Sequence, residues 1–345
     1  MSTLISSNIA PAPSLSILDV GHGSCCVVTD GRSTVLVDTG PGAPILEYLL
    51  ESGIRELDTV VLSHADSDHI EGLTSLLASN KFSVRRVMLN SDASKDSRVW
   101  GNLAYEIDQR RRNQTLEFTS QLREGDIVEL PGTDVELSIV APRDRIVITG
   151  PGATDADGRR LTSNSLSAVI LVRAQGRSCA ILTGDLDEVG LFHLVDTGQD
   201  LRSDVLVFPH HGGTAGGAPR SSEEFAYQLT RMVQPAAVVF SMGRGRYSNP
   251  RPEIIQGVRR AVPAVRIACT QLSERCAIEV PDVGPTHLLP IYSRGSQSRS
   301  CCAGTVRIVL TAVGDVQPRA EGHAAFIASA TETPLCRQAT IWWRV

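Results

Sequence analysis

"VLSHADSDHIEGL", residues 61–73, puts His64, Asp66, Asp68 and His69 within six positions, in a chain of 345 residues that has only eight histidines. The stretch closes an apolar run, "LDTVV", and opens another, "IEGLTSLLASN", whose apolar residues recur at helical spacing. A strand ends here and a helix begins, with four polar side chains delivered at the turn. One reading makes the cluster a surface helix start, with Asp66 or Asp68 capping free amides. The other makes it a ligand set, because imidazole and carboxylate together suit zinc, manganese or iron.

The rest of the chain favours ligands. Four further apolar runs stop at polar residues: Asp38 in "LVDTG", Asn164 and Ser165 in "TSNSLSAVI", Asp185 in "LTGD", and His210 with His211 in "VFPHHGG". Helical stretches such as "APILEYLLESG", "DEVGLFHLVDTG" and "SEEFAYQLTRMV" lie between the runs. This alternation predicts an α/β protein with buried sheets covered by helices and polar residues gathered at strand ends. A bridging carboxylate such as Asp185 would hold two ions roughly 3.5–4 Å apart, the spacing of two-metal hydrolases. The stretch 146–163, "IVITGPGATDADGRRLTS", reads as a long mobile loop beside the site.

In order, "SHADSDHIEGL", "LTGD" and "PHHGG" resemble the metallo-β-lactamase superfamily, with Asp66 where the second histidine of His-x-His-x-Asp-His usually stands. The HxDxDH form, with "LDVGHGSCCVV" before it and "FSMGRGRYSNPRPEII" after it, is similar to the ComEC-like branch. The resemblance implies a four-layer αββα sandwich over residues 14–280; beyond it, the alternation in "TVRIVLTAV" predicts 281–345 as a small β-rich, cysteine-containing extension. The resemblance also implies two divalent ions, zinc or manganese: one on His64 and His210 with Asp66, the other on Asp68 and His69, with Asp185 bridging. Asp38, Asn164 and Ser165 would support these ligands. Asp66, Asp68 and His211 would serve the reaction, His211 as substrate contact or proton donor, and the sequence leaves open which of His210 and His211 is the ligand. His22 and Asn249 depart from the branch's pattern, and with Arg246 and Tyr247 they would meet the substrate.

A net charge of −5 excludes a basic field over the whole surface, so nucleic acid would need a local cationic patch. The N-terminal stretch has no basic leader ahead of an apolar segment, and no apolar run is long enough for a bilayer, which predicts a cytosolic protein. Eight cysteines in that compartment read as thiols or metal ligands. Cys269, Cys276, Cys301, Cys302, Cys336 and His323 could pack as small apolar groups or form a structural zinc site. The function that follows is metal-dependent hydrolysis, with a nuclease or other phosphodiesterase first. A small-ester hydrolase (cyclic nucleotide, lactone or thioester) and a metal-stabilised module binding a protein through its tail are the alternatives.

Overall fold

The computed structural model describes residues 11–337 apart from 93, 216–218 and 246. Two sheets lie face to face. The first has eight strands in the order Val316–Gln317, Val306–Val309, Ser14–Ile17, Cys26–Thr29, Thr34–Val37, Glu56–Val61, Ser83–Met88, Glu117–Thr119. The second has seven: Arg266–Cys269, Ala237–Phe240, Val205–Val207, Arg177–Leu182, Val169–Ala174, Val135–Ala141, Ile127–Glu129. Each sheet joins an antiparallel half to a parallel half. The parallel halves require helical crossovers, and these supply the outer layers.

Alternation within the strands explains the sandwich. Val35 and Val37 face the other sheet, into a core shared with Leu137, Ile170, Val172, Val205 and Val239. Leu36, between them, faces outward and packs with Ile45, Leu49, Ile70 and Leu73 of two helices, Pro44–Glu51 and Ser67–Ala78. On the far side Leu206, Val238 and Ile181 meet Phe225, Leu229 and Ile255 from the helices Pro219–Val233 and Pro252–Ala261. With both faces covered, strands such as Thr34–Val37 are apolar at consecutive positions, and each fully buried aliphatic side chain contributes about 1.5–3 kcal/mol. The αββα architecture is the one the motif order implies.

The described residues after 280 are built into this sandwich. Val306–Val309 pairs antiparallel with Ser14–Ile17, in register from Ser14↔Val309 to Ile17↔Val306. Phe326 and Ile327 of the helix Ala320–Ala330 join the apolar layer beneath the second sheet. The cysteines there are free and buried or half-buried. Among the described residues, three ligand atoms come within 4.8 Å of one another in only two groups, and neither contains a cysteine.

His323 sits in this C-terminal packing, Nε2 3.2 Å from Cys302 Sγ. Burial, helped by the nearby His287, pushes its pKa down to about 3, so the folded protein holds it neutral. An unfolded chain binds that proton near pH 6.5. Because the folded pKa is depressed, stability is complete above pH 6.5 and is lost as the pH falls toward 3, by about 1.4 kcal/mol per unit. Denaturant titrations at pH 7 and pH 5 should show the wild type losing about 2 kcal/mol more than His323→Gln. Equal losses would contradict this assignment.

The stretch 146–163 is more tied down than its composition suggests. It begins inside the short helix Asp144–Thr149, and Ile146 and Leu161 pack against Leu166. Asp155 Oδ2 lies 2.9 Å from Nε2 of the buried His193, which belongs to the helix Glu188–Val195.

Candidate metal centre

The strands Thr34–Val37, Glu56–Val61, Arg177–Leu182 and Val205–Val207 run in parallel sets, and their carboxyl ends bring Asp38, His64, Asp185 and His210 to one edge of the sandwich. Packing aims them. The helix Ser67–Ala78 lies so close to the turn after Asp38 that a Cβ on Gly72 would sit 2.3 Å from the Thr39 carbonyl oxygen. Thr39 Oγ1 donates to the His69 carbonyl and accepts from the Leu73 amide, which locks the first helical turn against the sheet. Asp66 stands at the N-cap of that helix, but its side chain makes no cap hydrogen bond. Its carboxylate turns instead to His64 Nε2 at 3.6 Å and to the Lys95 ammonium.

Three imidazoles are held with one nitrogen committed. His69 Nδ1 donates to Asp38 Oδ2 at 2.7 Å. His211 Nδ1 donates to the Ser241 carbonyl at 2.7 Å. Ser63 Oγ donates to Asp38 Oδ2 at 2.9 Å, so the 3.0 Å contact with His64 Nδ1 makes that ring the donor. In its neutral form each ring therefore turns an unprotonated Nε2 inward, the arrangement that prepares histidine for a metal. Asp38 also accepts from the Ser63 amide at 2.7 Å and holds this position with φ 57°, as His210 and His211 do with φ 51° and 54°. Left-handed backbone at three non-glycine residues of one site is strain that the surrounding packing sustains.

Asp185 lies at the centre. Its Oδ1 is 3.3 Å from His69 Nε2 and 3.7 Å from His211 Nε2. Its Oδ2 is 3.5 Å from His210 Nδ1 and 3.9 Å from His64 Nε2. Asp68 Oδ2 adds contacts of 3.3 Å to His211 and 3.6 Å to His22. Nε2 of His64, His69 and His211 has no hydrogen-bond partner among the described residues, although the atoms are buried. Lone pairs facing lone pairs at these distances need a proton or a cation between them. Burial opposes protonation of His69, yet Asp38 and Asp185 outweigh it and raise its pKa well above the usual value. Burial likewise works against ionised Asp66, but His64 and Lys95 prevail and hold it at about 2. Asp185, wholly buried, is held well below the carboxylate range by His69, His211 and His210. Four carboxylates here face a single ammonium, so the charge that remains is what divalent cations would balance.

Two other expectations land elsewhere. Ser165 Oγ donates to Asp187 Oδ2 at 2.7 Å, and the serine that holds Asp185 is Ser167, whose Oγ accepts the Asp185 amide at 2.9 Å. Asn164 lines an adjoining groove of about 540 Å³ with Asp66, Lys95, Arg160 and His210. His22, Tyr247, Asn249, Lys95 and Arg251 line the cleft over the centre, about 470 Å³ in volume. His22 stacks between the rings of His211 and Tyr247, with centroids 4.5 Å away on each side. Arg246 lies outside the described residues. Arg244 is spent on carbonyls of Leu272 and Ala277. Reading the sequence missed Ser63, Ser167, Ser241 and Lys95. Ser63 was visible beside His64, whereas nothing in the pattern marks Lys95.

The family profile for the metallo-beta-lactamase superfamily matches residues 18–210, more than half of the chain. The chain belongs to the metallo-β-lactamase superfamily. It is similar to the ComE operon protein 3 of Bacillus subtilis, 26% identical over 271 residues that cover 71% of this chain and 30% of that protein. It is also similar to the competence protein ComA of Neisseria gonorrhoeae, 27% identical over 266 residues that cover 75% of this chain and 31% of that protein. These likenesses mark a ComEC-like member of the superfamily, and the chain spans about a third of the length of the curated relatives it matches. The solved structure of the metallo-beta-lactamase fold protein YhfI from Bacillus subtilis aligns over 76% of this chain and 98% of its own, at 11% identity and a TM-score of 0.47. The superfamily is one of metallo-hydrolases, and the His and Asp residues of this member converge as such a centre needs. Among the described residues no helix is long and apolar enough to cross a membrane.

Proposed function

We propose that the protein is a cytosolic metal-dependent phosphodiesterase acting on DNA or another nucleotide substrate. The observation that carries this reading is the placement of Asp185, with each carboxylate oxygen turned to a different pair of imidazoles. That is the disposition of a carboxylate shared by two cations. When bound, zinc or manganese there would acidify a water and neutralise charge developing on a phosphoryl oxygen.

The protein's own groups do the rest. Asp38 and Ser241 fix the tautomers of His69 and His211, so no reorganisation is needed at the moment of reaction. Lys95 and Arg251 put cationic groups on the cleft wall, suited to a phosphate, and the half-exposed Tyr247 offers a ring face to a base. His211 was the candidate proton donor, but its Nδ1 is committed to Ser241 and its Nε2 to the centre. The names of two curated relatives, a competence protein and a recombination protein, support a nucleic-acid substrate.

The test compares cleavage of single- and double-stranded DNA with manganese or zinc by the wild type, Asp68→Ala and His69→Ala. Both variants should lose at least about 100-fold in kcat/KM. Activity that survives both would sink the assignment. A small-molecule ester is the second reading, favoured by a net charge of −5 and a cleft volume in the range of small-ligand sites. Cyclic nucleotides, lactones and thioesters in the same assay separate the two.

A further inference from the structure

The two sides of the centre are not equivalent. On one side His22, Asp68 and His211 bring three ligand atoms within 4.8 Å of one another, and across the centre His64, His69 and Asp185 do the same. On the other, Asp66 is ion-paired with Lys95. We propose that His22 is a metal ligand, that the His22 side binds its cation first and tightly, and that the Asp66 side fills second and weakly because Lys95 already holds its carboxylate. This rests on the reading that the centre holds two cations.

Geometry supports the assignment of His22. Ligands about 2.0–2.1 Å from a tetrahedral ion lie ~3.3 Å from one another. The separations on this side are close to that: 3.6 Å from His22 Nε2 to Asp68 Oδ2 and 3.3 Å from that oxygen to His211 Nε2. The ring of His22 is also well placed. A Cβ on Gly243 would come within 2.3 Å of the His22 amide nitrogen, so the two backbones are in close contact, and Ser241 Oγ donates to the Gly23 carbonyl at 2.8 Å. The end of the strand Ala237–Phe240 therefore clamps the turn that carries His22 next to His211, whose ring the same segment orients. With His22 and His211 this side offers two imidazoles beside Asp68, donors that zinc prefers, and among the described residues no lysine is ion-paired with that carboxylate.

The Asp66 side offers His64, Asp66, Asp185 and His210, with separations of 3.5–3.9 Å. A cation there must displace the Lys95 ammonium from the Asp66 carboxylate. Lys95 lines the cleft, so displacement leaves its charge free to meet a substrate phosphate. Loading of the second site and recruitment of substrate are thereby linked.

The experiment titrates metal-free protein with zinc against a chromophoric chelator, with folding checked by circular dichroism. The wild type should bind one equivalent tightly and a second more weakly. His22→Gln should weaken the tight step about 10- to 100-fold and leave the weak one in place. Lys95→Met, at a partly exposed position, should strengthen the weak step about tenfold and leave the tight one unchanged. A cobalt spectrum of the first equivalent should change in His22→Gln and stay the same in Lys95→Met. Two unequal steps that neither substitution alters would overturn the inference while leaving the two-cation reading intact. No binding by the wild type would overturn both.

Discussion

Asp185→Asn is expected to lower phosphodiester cleavage by at least about 1,000-fold and to reduce the protein to at most one bound cation. The substitution keeps the side chain's size and its Ser167 anchor, since that bond uses the main-chain amide. What changes is the chemistry of two atoms. One oxygen becomes an NH₂ that cannot ligate and that repels a cation on whichever side it faces. The charge the two sites share also disappears. Because Asp185 is the point where the His64–His210 pair and the His69–His211 pair meet, no other side chain can substitute for it. Elemental analysis and turnover read the result. Two cations retained at wild-type affinity would show that the carboxylate does not bridge.

Asp38 should give the second-largest effect, and its two substitutions should fail differently. Asp38→Ala strips partners from the Ser63 amide, the Ser63 hydroxyl and His69 Nδ1, all buried. It also puts an alanine at φ 57°, where aspartate and asparagine are better tolerated. Loss of a buried charged partner of this kind costs about 3–5 kcal/mol, so the variant should unfold at markedly lower denaturant concentration. Asp38→Asn keeps the backbone and one carbonyl acceptor for Ser63. If its NH₂ faces His69, however, it donates to Nδ1 and drives the proton to Nε2, where a ligand is needed. That variant should fold normally and bind metal about 10- to 100-fold more weakly. Equal stability of Asp38→Ala and wild type, or unchanged metal affinity in Asp38→Asn, would refute this account of Asp38.

Much of this arrangement could be read from the residues. Strands such as Thr34–Val37 and Val205–Val207 announce themselves as short apolar runs because both faces are covered, and the polar residues at their ends mark where they stop. His64, Asp66, Asp68, His69, Asp185, His210 and His211 converge because all follow strands whose carboxyl ends share one edge. The misses have a common cause, which is that they depend on contacts between distant segments. Ser165 and Ser167 differ by two positions, and only the turn at Asn164–Leu166 decides that Ser167 reaches Asp185. Lys95 lies in a loop with no pattern, and its partner is known only once the helix Ser67–Ala78 is placed. The strand in "TVRIVLTAV" was legible, but nothing in those residues says that its neighbour will be Ser14–Ile17.

That last pairing ties the start of the reaction centre to residues far along the sequence. The turn bearing His22 begins at Asp19, whose carboxylate accepts the Gly295 amide at 2.8 Å and whose own amide donates to Thr305 Oγ1 at 3.0 Å. During translation the ribosome must therefore release Gly295 and Thr305 before this turn can set. Until then the apolar edge of Ser14–Ile17 waits unpaired, exposed to other nascent chains and to chaperones. Synthesis that stops short of Val306 should yield aggregate instead of a weaker enzyme.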